Sequence, residues 1–541
     1  MAALARFPKA TPWTILTVVL SVLILIPLTV VIFGVAQAGP EWAHVAENVL
    51  WTYIANTVIL ALLVSVFCFL MAVPPAWILS AFDFPGRRIL EWAMVLPLAI
   101  PTYVAAFVYM HTKESAIPLQ IHIRQTWGLE AFLLSETLLR YGILSLLLSG
   151  VLYPYLYLAV RASFLVQRRG VIEAAQLLGR SPASVFFTVA LPLSRPAIIA
   201  GLSLIVMELI NDYGAVNFFG VPTLTEGIFR TWFGLADRAS ALRLAGLMMI
   251  LVLTLLSLEK AQRGRAQYAE AGNDSTPLAH RKLRPAAAAM AIVLCLIPLT
   301  AGFLYPLQKL LRWAWLSREI GIHPGMGPRI LHSLTLALGA ALLLTLLAVI
   351  AVYARRLCAS RRLTLLLRLA TLGYAVPGAV VAVGVMVTLA FIDRHSPLSG
   401  FFLSGTLFAI AFAYLVRFFA VPVQPIQESM HRLCGRLDEA SRILGHPPLN
   451  TLLRINLPLI RGTLFAATML VFVDILKELP LTMILRPVNF DTLATLSFGL
   501  AKEGRFHECA IPSLLIIFLA ALGLIGLNRC IRTATNPESA P

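Results

Sequence analysis

Long apolar stretches of about 20 residues, the length a helix needs to cross the hydrocarbon core of a bilayer, recur along the chain between short polar segments. Twelve can be picked out, centred near Ile24, Ser65, Pro101, Gly150, Ser203, Leu251, Leu296, Ala340, Val383, Phe408, Val471 and Phe518. Their continuity, without period-two alternation, predicts transmembrane helices and not the strands of a membrane barrel. Ten read as uncharged. The fifth holds Glu208 and Asp212, and the eleventh holds Asp474, Lys477 and Glu478.

The polar positions add a second level of order. From Glu259 to Pro285 the chain turns polar, basic and Ala/Gln/Gly-rich, which predicts a linker at 259–285 between a first six-span domain (1–258) and a second (286–541). The two domains repeat each other. Asn56-Thr57 at the start of the second span matches His332-Ser333 at the start of the eighth, and Leu98-Ala99-Ile100-Pro101 matches Tyr374-Ala375-Val376-Pro377, both at an offset of 276. Six is even, so the repeats are parallel and related by an axis along the membrane normal. The expected fold is an all-α membrane protein of about 12 transmembrane helices in two parallel six-helix repeats.

Composition agrees: 59% of the 541 residues are hydrophobic and 13% charged, outside the balance of a water-soluble domain. A net charge of +17 suggests nucleic acid at first sight, but the basic residues sit at the ends of spans. With Arg417 counted at the head of the polar segment 417–461, the segments on the side of both termini carry twice the Lys and Arg of the other side. That bias predicts cytoplasmic termini, with the lipid bilayer and not nucleic acid as partner. One loop dissents, holding Lys309, Arg312, Arg318 and Arg329 on the outer side. Arg355-Arg356 and Arg361-Arg362 read as topology anchors near anionic headgroups. Ala36-Gln37-Ala38 resembles a signal-peptidase site, but the apolar run from Trp13 to Val35 is longer than a signal core of roughly 7–15 residues, so an uncleaved helix is expected. The six cysteines are scattered without a CxxC pair and point to neither disulfides nor a metal site.

Between spans 4 and 5 stand Glu173-Ala174-Ala175, then Gly179, then Val189, Leu191 and Pro192. Between spans 10 and 11 stand Glu439-Ala440-Ser441, then Gly445, then Ile455, Leu457 and Pro458, the whole set shifted by 266. Each copy predicts a short helix stopped by a glycine that tolerates the left-handed conformation, then a second helix. Ser181-Pro182 caps that helix in the first copy, and His446-Pro447-Pro448 replaces the hydroxyl cap in the second. Small residues at 174, 175, 440 and 441 leave a face open to close approach by another protein, and the Leu-Pro pair is expected to turn the chain back into the bilayer. A DNA-binding helix-turn-helix is poorly served by tight membrane hairpins on both sides.

Glu-Ala-Ala, three residues, Gly, nine residues, Ile-x-Leu-Pro resembles the cytoplasmic loop signature of ABC importer permeases, with Ser441 for Ala in the second copy and Val189 for Ile in the first. The resemblance implies a type I ABC importer-like fold in a bacterial cytoplasmic membrane. It implies that each loop forms a coupling helix docked on one of two copies of an ABC ATPase subunit, with a periplasmic or extracellular solute-binding protein delivering cargo. ATP would be used by the partner subunit. The chain itself is then not an enzyme and binds no cofactor, in keeping with the absence of a Gly-x-x-x-x-Gly-Lys-Ser/Thr phosphate loop. Met207-Glu208-Leu209-Ile210-Asn211-Asp212-Tyr213-Gly214-Ala215-Val216, Phe219-Gly220-Val221-Pro222-Thr223 and Gly227-Ile228-Phe229-Arg230-Thr231-Trp232-Phe233 resemble the fused iron(III) importer permeases, with the thiamine permease a relative.

Acids at membrane depth are expensive and point to function. Glu208 matches Asp474 and Asp212 matches Glu478 at the same offset of 266, which predicts two acids four residues apart on one helical face in each half. Such faces could line a cationic pathway, since a hard cation prefers oxygen ligands. Alternatively Lys477 neutralises Asp474 and the remaining acids hydrogen-bond between helices. An ion-coupled secondary transporter could also use the acids, but it leaves the paired loops unexplained.

Overall fold

A computed structural model of the protein describes residues 11–37, 39–166, 179–266, 281–319, 325–358, 360–395 and 402–535. The first half contains α1 (Pro12–Gly34), α2 (Trp42–Ala81), α3 (Arg87–Ala99) bent by 90° into α4 (Thr102–Glu114), and α5 (Ile117–Leu165). Then come α6 (Ala183–Leu193) bent by 68° into α7 (Arg195–Asn211), the short α8 (Gly214–Phe218) and α9 (Leu224–Phe229), and α10 (Arg238–Ala266). The second half repeats the order with α11 (Pro285–Leu316), α12 (Met326–Leu357), α13 (Arg361–Ala370) and α14 (Gly378–His395). It continues with α15 (Leu407–Phe418) bent by 47° into α16 (Ala420–Arg432), α17 (Gly435–Ile443), and α18 (Pro448–Leu459) bent by 79° into α19 (Arg461–Lys477). It closes with α20 (Pro480–Leu485), α21 (Leu493–Lys502) and α22 (Phe506–Thr535). Eight helices are each long and apolar enough to cross a membrane, and counting each bent pair as one span raises the number to twelve. Every expected centre falls on one of these units.

The bends correct the picture of unbroken spans. Ile100 is extended ahead of Pro101, as steric pressure from the proline ring on the preceding residue requires. The Leu-Pro pairs do not make the turns at 68° and 79°. Pro192 and Pro458 sit in the last turn of α6 and α18, each directly after a π-helical turn, Phe186–Ala190 or Leu452–Asn456, and the chain bends two residues later at Ser194 and Ile460. The fully buried Ser194 hydroxyl donates to the Ala190 carbonyl at 2.9 Å, the back-bonding that bends helices.

The repeat extends to single hydrogen bonds. Thr57 Oγ1 accepts from the Leu224 N–H at 3.1 Å, and its counterpart Ser333 Oγ accepts from Leu493 at 2.7 Å. Each holds the start of α9 or α21 against the second helix of its half, α2 or α12. The halves also exchange their first helices. Trp13 of α1 meets Tyr353 edge-on at 5.4 Å. Gly384 of α14 lies so close to α1 that a Cβ there would stand 2.7 Å from the Pro27 carbonyl. Reciprocally, α11 presses on the first half. A Cβ on Gly150 would lie 3.1 Å from the Gly302 Cα, and the Tyr109 hydroxyl donates to the Ala301 carbonyl at 2.7 Å. Glycine at these crossings permits backbone contact that any side chain would prevent.

At the expected linker, α10 stays helical to Ala266, past residue 259, while 267–280 lie outside the described residues. Arg281–Lys282 then pair in parallel with Phe82–Asp83, just after α2. This is the one strand pairing among the described residues.

Candidate functional site

Where the two halves meet, the ends of α7 and α19 enclose a cavity of about 120 Å³, room for a few water molecules. Glu208, Asp212, Asp474 and Glu478 all line it. The expected placement of each acid pair on one helical face is not what the backbone does. α7 ends at Asn211 and α19 at Lys477, and the next residues, Asp212 (φ −70°, ψ 117°) and Glu478 (φ −69°, ψ 119°), are extended. Their carboxylates turn forward: Asp212 Oδ1 accepts from the Ala215 N–H at 2.8 Å, and Glu478 Oε1 from the Leu481 N–H at 3.1 Å. Each acid thus caps the short helix that follows, satisfying an N–H that has no partner within that helix. Glu208 and Asp474, one turn back, remain on helices facing the cavity. Asp474 Oδ2 is buried without a hydrogen-bond partner among the described residues.

Two cations complete the wall, and both belong to the second half. Lys477 Nζ stands 3.9 Å from Asp474 and donates to the Leu98 carbonyl of the first half at 3.1 Å. Arg417, only 5% exposed, lies 3.6 Å from Glu478 and donates to Asn211 Oδ1 of the first half at 3.0 Å. The same Asn211 oxygen accepts from the Gly378 N–H at 2.8 Å. Gly378 has no room for a side chain, since a Cβ would lie 2.7 Å from Glu478 Oε1 and collide with the Arg417 guanidinium. Three polar bonds therefore cross from one half to the other at the cavity. Among the described residues no three His, Cys, Asp or Glu side chains converge in a way able to hold a metal ion.

Arg417 corrects the sequence reading, which counted it with the basic segment 417–461. Its signal was the apolar run Leu407–Phe418 around it, the same signal that drew attention to the acids. Asn211 gave no such signal, because a neutral amide in an apolar span is unremarkable until its partners are known.

The repeated motif lies at one end of the bundle. Glu173, Ala174 and Ala175 lie outside the described residues. Gly179 and Gly445 have φ of 80° and 79°, the left-handed helix stop expected of them. Ser181 Oγ accepts from the Ser184 N–H at 3.2 Å, capping the second helix of the first copy. In the second copy Glu439 and Ala440 are exposed on α17, but Ser441 is buried and its hydroxyl meets Thr451 at 2.7 Å. It locks the two helices together and is not part of the approachable face. That face is apolar instead, with Ile443 86% and Leu444 75% exposed. Leu191, Pro192, Leu457 and Pro458 lie at the ends of α6 and α18 ahead of the bends. α17 and α18 are both anchored to α12, since Arg356 Nε lies 2.6 Å from Asp438 Oδ2 on α17 and Tyr353 donates to the Pro448 carbonyl of α18 at 2.7 Å. In the first half, Ser80 and Ile172 stand at the positions of Arg356 and Asp438, so that ion pair has no counterpart.

Residues 66–258 match the family described as Binding-protein-dependent transport system inner membrane component. The chain is 23% identical over 538 residues to the Fe(3+)-transport system permease protein FbpB 2 of Haemophilus influenzae, covering 96% of this chain and 99% of that protein. It is 31% identical over 176 residues to a probable sulfate transport system permease protein cysT of Nephroselmis olivacea, covering 32% of this chain and 57% of that protein. It is 29% identical over 150 residues to the molybdenum transport system permease protein ModB of Haemophilus influenzae, covering 28% of this chain and 62% of that protein. Similarity to the first relative runs through both halves, whereas the other two match less than a third of the chain.

Proposed function

The chain is an ABC transporter permease with binding-protein-dependent transport inner-membrane domains, and from that premise we propose that it forms the membrane path of an ATP-driven importer for iron(III). Two six-span domains, 1–258 and 286–541, would flank the path, joined by the linker 259–285. Charge at the cavity carries the choice of cargo. Four carboxylates face two cations there, an excess of oxygen donors that favours a hard cation over an oxyanion such as sulfate or molybdate. The likeness to the iron(III) permease along both halves agrees with that choice.

ATP is bound and hydrolysed by partner subunits. The loops at Glu173–Gly179 and Glu439–Gly445 dock one ATPase copy each, with exposed Ile443 and Leu444 filling an apolar cleft on the second. Closure of the ATPase pair draws the loops together, and α6–α7 and α18–α19 carry that movement inward to the cavity. The bonds of Asn211 to Arg417 and Gly378, and of Lys477 to Leu98, part as the halves rock. Glu208 and Asp474 then face the opened path, passing a cation handed over by the solute-binding protein, with the termini on the ATPase side.

Reconstitution of the permease with its ATPase and binding protein in liposomes tests this reading. Radiolabelled Fe(III) should enter only with ATP, and Glu208→Gln with Asp474→Asn should slow its entry at unchanged protein level. ATP-driven uptake of labelled sulfate or molybdate with no uptake of iron would sink the iron assignment.

A further inference from the structure

At the motif end of the bundle, α12 finishes with Arg355 and Arg356, and the chain turns through Ser360 into α13. The end of α12, α13 and α16 enclose a cavity of about 540 Å³, far larger than the central one. Arg355, Arg361, Arg368 and His431 line it, with Ser360 and Thr364 among them, and no Asp or Glu does. Arg361, Thr364 and Arg368 follow the i, i+3, i+7 spacing of one helical face, while Leu363 and Leu367 are buried on the other. Arg355 donates to the neutral Gln427 Oε1 at 2.5 Å, and Arg356 is taken up by Asp438. Neither Arg361 nor Arg368 has a carboxylate partner among the described residues.

The matching corner of the first half is built differently. α3 corresponds to α13 at the offset of 276, and there Glu91 accepts from Arg87 at 3.4 Å and from Arg161 as well. That corner holds two of its arginines on an internal carboxylate. The residue at the position of Glu91 in the second half is Leu367, and Gln427 stands where Arg161 does. One corner of the fold therefore carries its own anion, and its twin presents Arg361 and Arg368 without one among the described residues. Beside those arginines Leu365 and Leu369 are 57% and 38% exposed, an apolar border suited to acyl chains.

The geometry points to a phosphate-binding site at this corner, occupied by the headgroup of an anionic phospholipid whose phosphate supplies the negative charge that Glu91 provides in the first half. Guanidinium groups recognise phosphate oxygens in a bidentate manner, the Ser360 hydroxyl supplies a further donor, and the volume exceeds what a bare phosphate needs. Basic pockets of this kind between membrane helices recognise acidic lipid headgroups. Because Arg356, next to Arg355, holds α17, the occupied site would also stiffen the second loop.

The test uses the full-length permease in detergent, exchanged with phosphatidylglycerol and phosphatidylcholine in equal amounts and read by native mass spectrometry. The wild type should retain phosphatidylglycerol selectively, and Arg361→Gln with Arg368→Gln should weaken retention by roughly fivefold for each guanidinium removed. Thr364→Glu keeps every arginine but sets a carboxylate between two of them, and it should abolish the selectivity as well. Displacement of the lipid by millimolar inorganic phosphate in the wild type but not in the variants supports the site and shows that free phosphate also reaches it. Equal retention of the two lipids by the wild type, or undiminished phosphatidylglycerol on both variants, overturns the proposal.

Discussion

Residues 207–216 of the first half and 473–482 of the second trace the same path around the cavity. Each ends a membrane helix at an acid in extended conformation and uses that acid to cap a short helix. The backbone is duplicated and the charges are not. Arg417 and Lys477 have Val151 and Asn211 at the matched positions of the first half, so the second half supplies the cations and the first supplies neutral acceptors, Asn211 and the Leu98 carbonyl. Divergence after duplication has turned a symmetric pair of caps into a one-sided set of bonds between halves. Such an arrangement closes the cavity in only one register.

The sharpest way to break this asymmetry is Arg417→Met. It leaves Glu478 buried without its cation, and uncompensated buried charge typically lowers stability by about 3–5 kcal/mol. A thermal shift in detergent would register the loss, and adding Glu478→Gln should recover most of it. Failure of the double variant to recover would show that the two groups are not coupled. Val151→Ala, the matched change in the first half, should have a much smaller effect. A second break is Gly378→Ala, whose methyl group would crowd Glu478 and Arg417 and should cost about 1–3 kcal/mol as overpacking. Denaturant midpoints should register that loss, whereas its counterpart Thr102→Ala adds no clash and removes instead the hydroxyl that bonds Asp212, a loss of about 1 kcal/mol.

The smallest expected effect compares the starts of α10 and α22. Asp237 is buried and accepts from Glu41 N at 3.0 Å, from the Ala239 and Ser240 N–H groups and from the Ser240 hydroxyl. Burial opposes its ionisation, but the hydrogen bonds from Ser240, Glu41 and Ala239 outweigh that and hold its carboxyl below the usual range. A depressed carboxylate contributes stability that is present above the unfolded-state pKa and is lost as pH falls through the folded one. Asp237→Asn should thus be less stable than the wild type near neutral pH by about 1 kcal/mol, the usual scale of a helix cap. The gap should close in acid, and a melting-temperature difference constant with pH would refute the assignment. Arg505, at the matched position before α22, is exposed and paired with Glu503 and Glu508, so Arg505→Ala should leave the melting temperature unchanged.

Hydropathy alone makes the spans legible, because a run of apolar residues has few other places to go. The repeated glycines at 179 and 445 were equally readable, since helix stops draw on a property few residues have. The bends were not. Nothing in the sequence around Ser194 and Ile460 marks them more strongly than the prolines just before, and the deciding contact at Ser194 is with its own helix. The role of Asp212 and Glu478 was hidden for a related reason: a spacing of four suggests one helical face only while the helix continues, and here it stops one residue short. Arg417 was misplaced because charge at a span end and charge inside a cavity look alike until α15 is seen to bend.

The exchanged first helices bear on how the protein is made. α1 is made long before Gly384, which forms part of its seat on α14. At roughly 5–20 residues per second, α1 waits for tens of seconds in the bilayer without that seat. Until then only α10 of its own half holds it, through Leu242 and Gly246, and completion of α14 acts as the clasp. The late fastening also predicts that two half-chains produced separately would assemble only by insertion of each first helix into the other half, an order-dependent event that the covalent connection between the halves makes unimolecular.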